Sequence, residues 1–247
     1  MKMSAIIGHR GAAKIAPENT LAGIRTAYDK GVQWVEIDVI LLGDGELVIH
    51  HDRTLNRCTD GKGELLSLTL PEVRKVDAGV LFASFHGHQF KGEKIPTLRE
   101  ALNLIHSLDM GLNLEIKMHK HSPEELTTRV LDQLQGHPLV EDGKLIISSF
   151  DHDVLVICKE KKPEIPVGHL FEKLPANWLE QVKRVSAITV HSNQKLLMKS
   201  QAAEVIDAGY ELYCYTVNSG KRAVELMSWG VSGVFTDDPE TIKAALL

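Results

Sequence analysis

Eight apolar runs rich in Val and Ile alternate with amphipathic segments along this chain, and that alternation restricts its possible folds more than any other feature. The runs lie at 5–8, 34–40, 111–117, 145–149, 165–169, 187–191, 210–216 and 231–236. The amphipathic segments lie at 20–30, 98–108, 123–134, 151–161, 175–183, 199–208, 220–229 and 239–246. Parallel strands cannot be joined by a tight turn and need a crossover, usually a helix, so the alternation predicts a parallel sheet. Eight strands and eight helices close a (β/α)8 TIM barrel, and the 247 residues match the length of about 250 typical of that fold. With 43% hydrophobic residues the chain can bury one large core, so residues 1–247 are expected to form a single domain. A doubly wound open sheet is the alternative, but no G-x-G-x-x-G follows the first strand and no P-loop lysine motif is present.

Local signals agree with these boundaries. Asn19-Thr20 after Pro17, Ser122-Pro123-Glu124-Glu125 and Asp238-Pro239-Glu240 have the composition of helix starts, and Gly31, Gly209 and Gly230 stand where helices end. After the second strand, Gly43-Asp44-Gly45 reads as a hairpin turn leading into 46–51. The stretch from about 52 to 96, with Asp60-Gly61-Lys62-Gly63 and Phe85-His86-Gly87-His88, is expected to be an insertion over the barrel mouth rather than a separate core.

Composition excludes several classes. A net charge of −5 and a pI near 6.2 leave no electrostatic footprint for nucleic acid or an anionic membrane surface. No stretch approaches the roughly twenty apolar residues of a membrane span, and residues 1–7 lack the hydrophobic region of a signal peptide. Cys58, Cys158 and Cys214 are odd in number and form no C-x-x-C pattern, which argues against a disulfide framework or a zinc site and for a cytoplasmic location.

Against this background, charges embedded in the apolar runs stand out. Glu36 and Asp38 flank Ile37, and Glu115 and Lys117 flank Ile116. Strand alternation puts each pair on one face, with Val35, Ile37, Leu114 and Ile116 on the other. A charge in such a place costs several kcal/mol, on the order of magnitude, unless it is paired or metal-bound. Three acids on neighbouring strands suggest a divalent cation, and pairing of each acid with a buried Arg or Lys is the structural alternative. His9-Arg10 follows the first strand and His51-Asp52 follows 47–50, so further chemistry-bearing residues sit at strand ends, where α/β enzymes keep their active sites. All-oxygen ligands favour Mg2+, Ca2+ or Mn2+ over Zn2+.

Taken together, His9-Arg10-Gly11, Ala16-Pro17-Glu18-Asn19-Thr20, Glu36-Ile37-Asp38, His51-Asp52, Glu115-Ile116-Lys117, Tyr215-Thr216-Val217-Asn218 and Thr236-Asp237-Asp238-Pro239 resemble, in order and spacing, the motifs of the glycerophosphodiester phosphodiesterases. The resemblance runs from the first strand to the last helix and is nearest to the bacterial cytosolic members linked to glycerol-3-phosphate uptake. It implies metal-dependent hydrolysis of small glycerophosphodiesters to sn-glycerol 3-phosphate and an alcohol. It further implies one divalent cation on Glu36, Asp38 and Glu115, acid/base catalysis by His9 and His51, and a phosphate clamp of Arg10 and Lys117. Within that frame His9 is expected to be the base and His51 the acid. Two departures bear on the alcohol pocket: Tyr215 stands where many relatives carry Trp, and Leu55-Asn56-Arg57-Cys58-Thr59 varies a segment that more often reads Leu-Asp-Arg-Thr-Thr.

The remaining candidates carry less. Phe150 and Tyr215 end strands and offer either a wall for glycerol carbons or core packing. His86 and His88 read as a solvated loop, His119 and His121 as a loop at the mouth within reach of a phosphate, and His50 as packing on the opposite face from His51. Glu18 either hydrogen-bonds a catalytic group or serves a helix start. Cys58 has no evident activating base. Two other functions compete. A phospholipase-like phosphodiesterase on intact lipid would need an apolar rim, which 52–96 does not display. A non-catalytic phosphate-binding partner of a transporter would have no use for two histidines beside three acids. Oligomeric state is not encoded in any of these motifs.

Overall fold

The computed structural model describes residues 2–82 and 87–246. Eight parallel strands close into a barrel: β1 (Ile6–His9), β2 (Trp34–Leu41), β4 (Gly111–Ile116), β5 (Leu145–Ser149), β6 (Val167–Phe171), β7 (Thr189–Asn193), β8 (Glu211–Tyr215) and β9 (Gly233–Thr236). Each pairs with its sequence neighbour except at β3 (Leu47–Ile49), and β1 closes the ring by pairing with both β2 and β9. The exception is the expected hairpin: β3 runs antiparallel to β2, with Val39 opposite Ile49 and Leu41 opposite Leu47. The barrel forms because β2 and β4, buried along their whole length, carry apolar residues on the face toward the helices and a different set on the face toward the axis.

Helices cover the outside: α1 (Leu21–Asp29), α2 (Leu70–Val73), α3 (Leu98–Ser107), α4 (Pro123–Leu134), α5 (Pro138–Glu141), α6 (His152–Lys161), α7 (Trp178–Arg184), α8 (Lys199–Asp207), α9 (Gly220–Ser228) and α10 (Pro239–Leu246). The start signals work as local chemistry predicts. Thr20 Oγ1 accepts the Gly23 N–H of α1, and Ser122 Oγ accepts the Glu125 N–H of α4. The helices bury Ile24, Leu102, Val130, Leu155 and Val205 against Val35, Ile37, Leu112, Leu114 and Ile147, forming the main core between the helix layer and the barrel wall.

The sequence reading differs from the structure in three places. Strands β6, β7 and β9 begin two residues later than expected from the apolar runs at 165–169, 187–191 and 231–236. Pro166 has no N–H to contribute to a ladder and instead offers its carbonyl to Ile147, so regular pairing starts at Val167. The short helices α2 and α5, each four residues, were too brief to show a helical period. The segment after β3 also has a small core of its own: Leu55, Leu65, Leu66, Val73, Ala78 and Ile95 pack with Ile40, Leu42 and Val48 from the ends of the hairpin. His86 and the side chain of His88 lie outside the described residues.

Inside the barrel, the lower half is apolar. Met3, Ile7, Trp34, Ile146, Tyr213 and Phe235 fill it, and a Cβ on Gly111 would meet the Trp34 ring at 2.2 Å, so the indole lies directly on the β4 backbone. His191 is sealed among them, packed against Phe235 and Tyr213, with Nε2 2.9 Å from Thr189 Oγ1. Burial, with a smaller contribution from His169, pushes its pKa down to about 3. The unfolded chain ionises this imidazole near its ordinary value of 6.5, whereas the folded chain keeps it neutral. Between those values the unfolded state binds the extra proton, so the His191 contribution to stability is lost as pH falls. His191→Leu is therefore expected to flatten the fall of Tm between about pH 6.5 and 3 relative to the parent, measured by scanning calorimetry; an unchanged slope would exclude His191 as the proton acceptor.

Candidate active site

Above the apolar floor the inward-facing positions turn polar. In register across the top of the barrel, His9 stands beside Glu36, Glu36 beside Asn113, Asp38 beside Glu115, and Glu115 beside Ser148. The alternation that put Glu36, Asp38, Glu115 and Lys117 on one face thus brings them together around the axis. Glu36, Glu115 and Lys117 border a cavity of about 440 Å3 that is also lined by His9, Arg10, His51, Phe150 and Tyr215.

One carboxylate oxygen from each of Glu36, Asp38 and Glu115 lies within 4.8 Å of the others, and all three residues are buried. Basic neighbours offset part of this negative charge. Lys117 Nζ is 2.7 Å from Glu115 and 3.7 Å from Asp38, and Arg10 Nε is 3.3 Å from Asp38. Asn19 holds Asp38 from two sides, donating Nδ2–H to its Oδ2 at 2.8 Å and accepting its backbone N–H at 3.1 Å. Burial alone would raise the Asp38 pKa, but Arg10, Lys117, His51 and the Asn19 amide outweigh it and hold the carboxyl well below the usual range. The other two acids are compensated only in part. Burial and then repulsion from Asp38 and Glu115 push Glu36 well above the ordinary carboxylate value, and burial with repulsion from Asp38 pushes Glu115 up to about 7.

The donor set fits a hard cation. Glu36 Oε1 and Asn113 Oδ1 are buried and receive no hydrogen bond from any described residue, so lone pairs are left exposed where three carboxylates converge. Carboxylate and amide oxygens in a buried cup are ligands for Mg2+, Ca2+ or Mn2+, whose charge would relieve the repulsion that raises Glu36 and Glu115.

Two imidazoles face this cup, each backed by a carboxylate. His9 Nδ1 is 2.6 Å from Asp237 Oδ1, and Asp237 Oδ2 accepts Asn218 Nδ2–H at 2.6 Å. His51 Nδ1 is 2.6 Å from Asp52 Oδ1, and burial pulls the His51 pKa below its ordinary value. An ionised carboxylate only accepts, so each Nδ1 carries a proton and each Nε2 is left for the cavity.

Arg10 is placed by an unusual backbone. It adopts φ 53°, a left-handed conformation, which turns its N–H onto Glu36 Oε2 at 2.9 Å while its carbonyl accepts the Asn19 N–H at 3.0 Å. Gly11 follows at φ 93°, where a Cβ would lie 2.6 Å from the Gly23 backbone, so the turn requires glycine. Glu18, read from sequence as either a helix-start residue or a hydrogen-bond partner, takes the Arg10 guanidinium at 2.9 Å.

The far wall is more apolar. Phe150 and Tyr215 pack edge to face at 5.7 Å, Lys117 lies 5.6 Å over the Phe150 ring, and the Tyr215 hydroxyl donates to the Phe171 carbonyl at 2.8 Å. Glu172, Asn193, Gln194 and Lys195 also line the cavity and escaped the sequence reading, which ended β6 and β7 at His169 and His191; β7 extends to Asn193, and the other three stand in the loops just past the two strands. The roles of Asp237, Asn218 and Asn19 were missed as well, although all three sit in the motifs quoted above. His50, His119 and His121 are not among the cavity-lining residues: His119 Nε2 meets the His51 carbonyl at 3.1 Å, His121 Nε2 meets the Leu41 carbonyl at 2.9 Å, and His50 Nε2 meets the Thr54 carbonyl at 3.3 Å. The Cys58 thiol is pushed up to about 12 by burial, which leaves it unreactive.

Comparison with known proteins matches residues 9–241 to the model of the glycerophosphoryl diester phosphodiesterase family. The chain belongs to that family. A glycerophosphodiester phosphodiesterase of Caldanaerobacter subterraneus subsp. tengcongensis is 34% identical over 238 residues, covering 96% of this chain and 95% of the relative. One from Bacillus subtilis is 31% identical and covers 95% of this chain and 83% of its own. Among solved structures, an Oleispira antarctica phosphodiesterase in complex with the product sn-glycerol-3-phosphate superposes with a TM-score of 0.93 at 37% identity, covering 99% of this chain and 97% of that one. As in the sequence reading, the fold of this family member is a (β/α)8 barrel, and no helix among the described residues is long and apolar enough to cross a membrane.

The state of the acid cluster has a measurable consequence. Because Glu36 and Glu115 hold protons unusually tightly without a cation, divalent cation uptake near pH 7 is expected to expel protons. Calorimetric titration with Mg2+ in buffers of different ionisation enthalpy should give binding heats that vary with the buffer, and Glu36→Gln should abolish the binding. At a cation concentration of 100 times Kd, stabilisation of about 2.7 kcal/mol is expected, a Tm gain of about 5–10 °C for a chain of this size. Heats independent of buffer would contradict the assignment of protonated acids.

Proposed function

We propose that this protein hydrolyses glycerophosphodiesters to sn-glycerol 3-phosphate and an alcohol, with one divalent cation held by Glu36, Asp38 and Glu115. The observation that carries this reading is the convergence on one cavity of an incompletely compensated acid cup, two cationic side chains and two imidazoles each backed by a carboxylate. A hard cation in the cup, Mg2+ or Ca2+ with Mn2+ as a further candidate, would supply positive charge to offset the negative charge that grows on the phosphoryl oxygens. Arg10 and Lys117 meet the same oxygens from the protein side. Both are conditioned for it: Arg10 is oriented by Glu18, and the nearby acids Glu115 and Asp38 outweigh the burial of Lys117 and keep it charged.

The two histidines divide the proton transfers. His9 Nε2 takes the proton of the attacking hydroxyl as its oxygen bonds to phosphorus, and the positive imidazolium is stabilised by Asp237. His51, in its protonated form, gives the Nε2 proton to the alcohol oxygen as its bond to phosphorus breaks, so charge and protons balance over the step. Phe150 and Tyr215 form a wall against which the glycerol carbons pack. Three free cysteines support a cytoplasmic location. A module that only bound phosphate would gain nothing from two carboxylate-backed imidazoles, whereas the hydrolysis of a small diester uses both of them together with the acids, Arg10 and Lys117.

Release of sn-glycerol 3-phosphate from glycerophosphocholine, followed by a coupled dehydrogenase readout with and without chelator, tests the reading directly. Turnover is expected to need the cation, and full activity in excess chelator would overturn the proposal. Arg10→Ala is expected to raise KM and lower kcat together, since its partner charge exists in the substrate and grows in the transition state; an unchanged KM would place Arg10 off the phosphate.

His9→Ala and His51→Ala are each expected to lose about 10²–10⁴-fold in kcat while remaining folded and able to bind the cation. On a nitrophenyl diester, whose leaving group departs without a proton, His51→Ala should recover much of its rate and His9→Ala should not. Equal rescue of both variants would refute this division of labour.

A further inference from the structure

We infer that Arg57, which is not among the residues lining the cavity, is a positioning residue that couples the phosphate-binding arm of the site to its proton-transfer arm. Its guanidinium forks between two carboxylates. Nε donates to Asp52 Oδ2 at 2.6 Å, Nη1 to Glu18 Oε2 at 2.5 Å and Nη2 to Glu18 Oε1 at 2.7 Å. Asp52 uses its other oxygen to hold His51 Nδ1 at 2.6 Å, and Glu18 Oε1 also takes Arg10 Nη1 at 2.9 Å. A continuous chain therefore runs from His51 through Asp52, Arg57 and Glu18 to Arg10, joining the turn before α1 to the loop after β3. No backbone hydrogen bond among the described residues links those two loops directly.

The form of the link matters more than its charge. The Arg57 side chain is 47% exposed, so water screens its attraction to either acid. What it supplies is a planar fork whose N–H directions are fixed, so that two carboxylates on separate loops are held at one separation. Lysine has the charge without the fork. Through this chain the side chain expected to grip the phosphate and the imidazole expected to protonate the leaving group are set against each other. Misplacement of either by about 1 Å is enough to cost on the order of 10²-fold in rate. Glu18 and Arg57 thus serve the histidine as well as the arginine.

The test is a double-mutant cycle read in two ways. In the cation-loaded protein, E18Q and D52N are compared singly and together, in the parent and in an R57Q background, with kcat and KM for glycerophosphocholine. In the parent, the loss of the double variant is expected to fall short of the product of the single losses by at least about threefold; in R57Q the losses should simply multiply. R57Q alone is expected to lose about 10–100-fold in kcat. R57K, which keeps the cation and remains folded, should behave as R57Q does, and full coupling in R57K would overturn the proposal.

The second readout needs no substrate. The 15N resonances of the His51 imidazole are expected to move on E18Q in the parent and to stay fixed on E18Q in R57Q and R57K. The kinetic cycle rests on the phosphodiesterase reading and the resonance shift does not, so a parent that fails to turn over glycerophosphocholine yet shows the Arg57-dependent shift refutes the substrate and retains the coupling. Multiplicative losses in the parent, or a His51 response to E18Q that persists without Arg57, would refute the coupling itself.

Discussion

Three carboxylates brought within 4.8 Å of one another at the top of a buried barrel repel, and most of the surrounding structure serves to hold them there. Asn19 grips Asp38 from both sides, and Lys117 and Arg10 bring positive charge to the cup. The left-handed turn at Arg10 aims a backbone N–H at Glu36, and Gly11 makes that turn sterically allowed. These devices compensate Asp38 and leave Glu36 and Glu115 under-compensated, which is the electrostatic ground for the cation proposed there.

The division of the barrel interior explains why such a cluster is effective. Trp34, Ile146, Tyr213 and Phe235 plug the lower half with apolar rings and aliphatic groups, so the charges above them are flanked on one side by material of low polarity. Interactions among the charges are strong there, and a charge that develops on a phosphoryl oxygen meets fixed dipoles instead of mobile water. Residues of the same strands serve both layers. On β2, Trp34 is floor while Glu36 and Asp38 are site, two and four positions along the same face.

A shared design also governs the imidazoles. Each is held at Nδ1 by a carboxylate that is itself anchored, Asp237 by Asn218 and Asp52 by Arg57. The two anchors differ in kind. The first is a neutral amide next to the β9 strand end; the second is a cation that reaches across to the Arg10 loop. That asymmetry gives the two histidines different electrostatic surroundings within one cavity, in keeping with the opposite proton transfers proposed for them.

The alternation of apolar runs, the helix caps and the period-two placement of Glu36, Asp38, Glu115 and Lys117 were legible in the amino-acid sequence because each depends on contacts within a few residues. From them follow the barrel class, the shared face of the acids and the position of His9 and His51 at strand ends. The motifs also signalled Asp52, Asn218 and Asp237, but not whom they bind, since His9 and Asp237 are 228 positions apart. Strand ends were beyond the sequence too: β6 and β7 run two residues past the ends of their apolar runs, and only the assembled barrel shows that Glu172 and Asn193 reach the cavity rim. The sequence by itself determined which side chains point to the axis, because strand geometry is local. Only the tertiary structure decided which of them meet and how far their charges are compensated, because barrel closure brings β1 against both β2 and β9 and packs the loops above them.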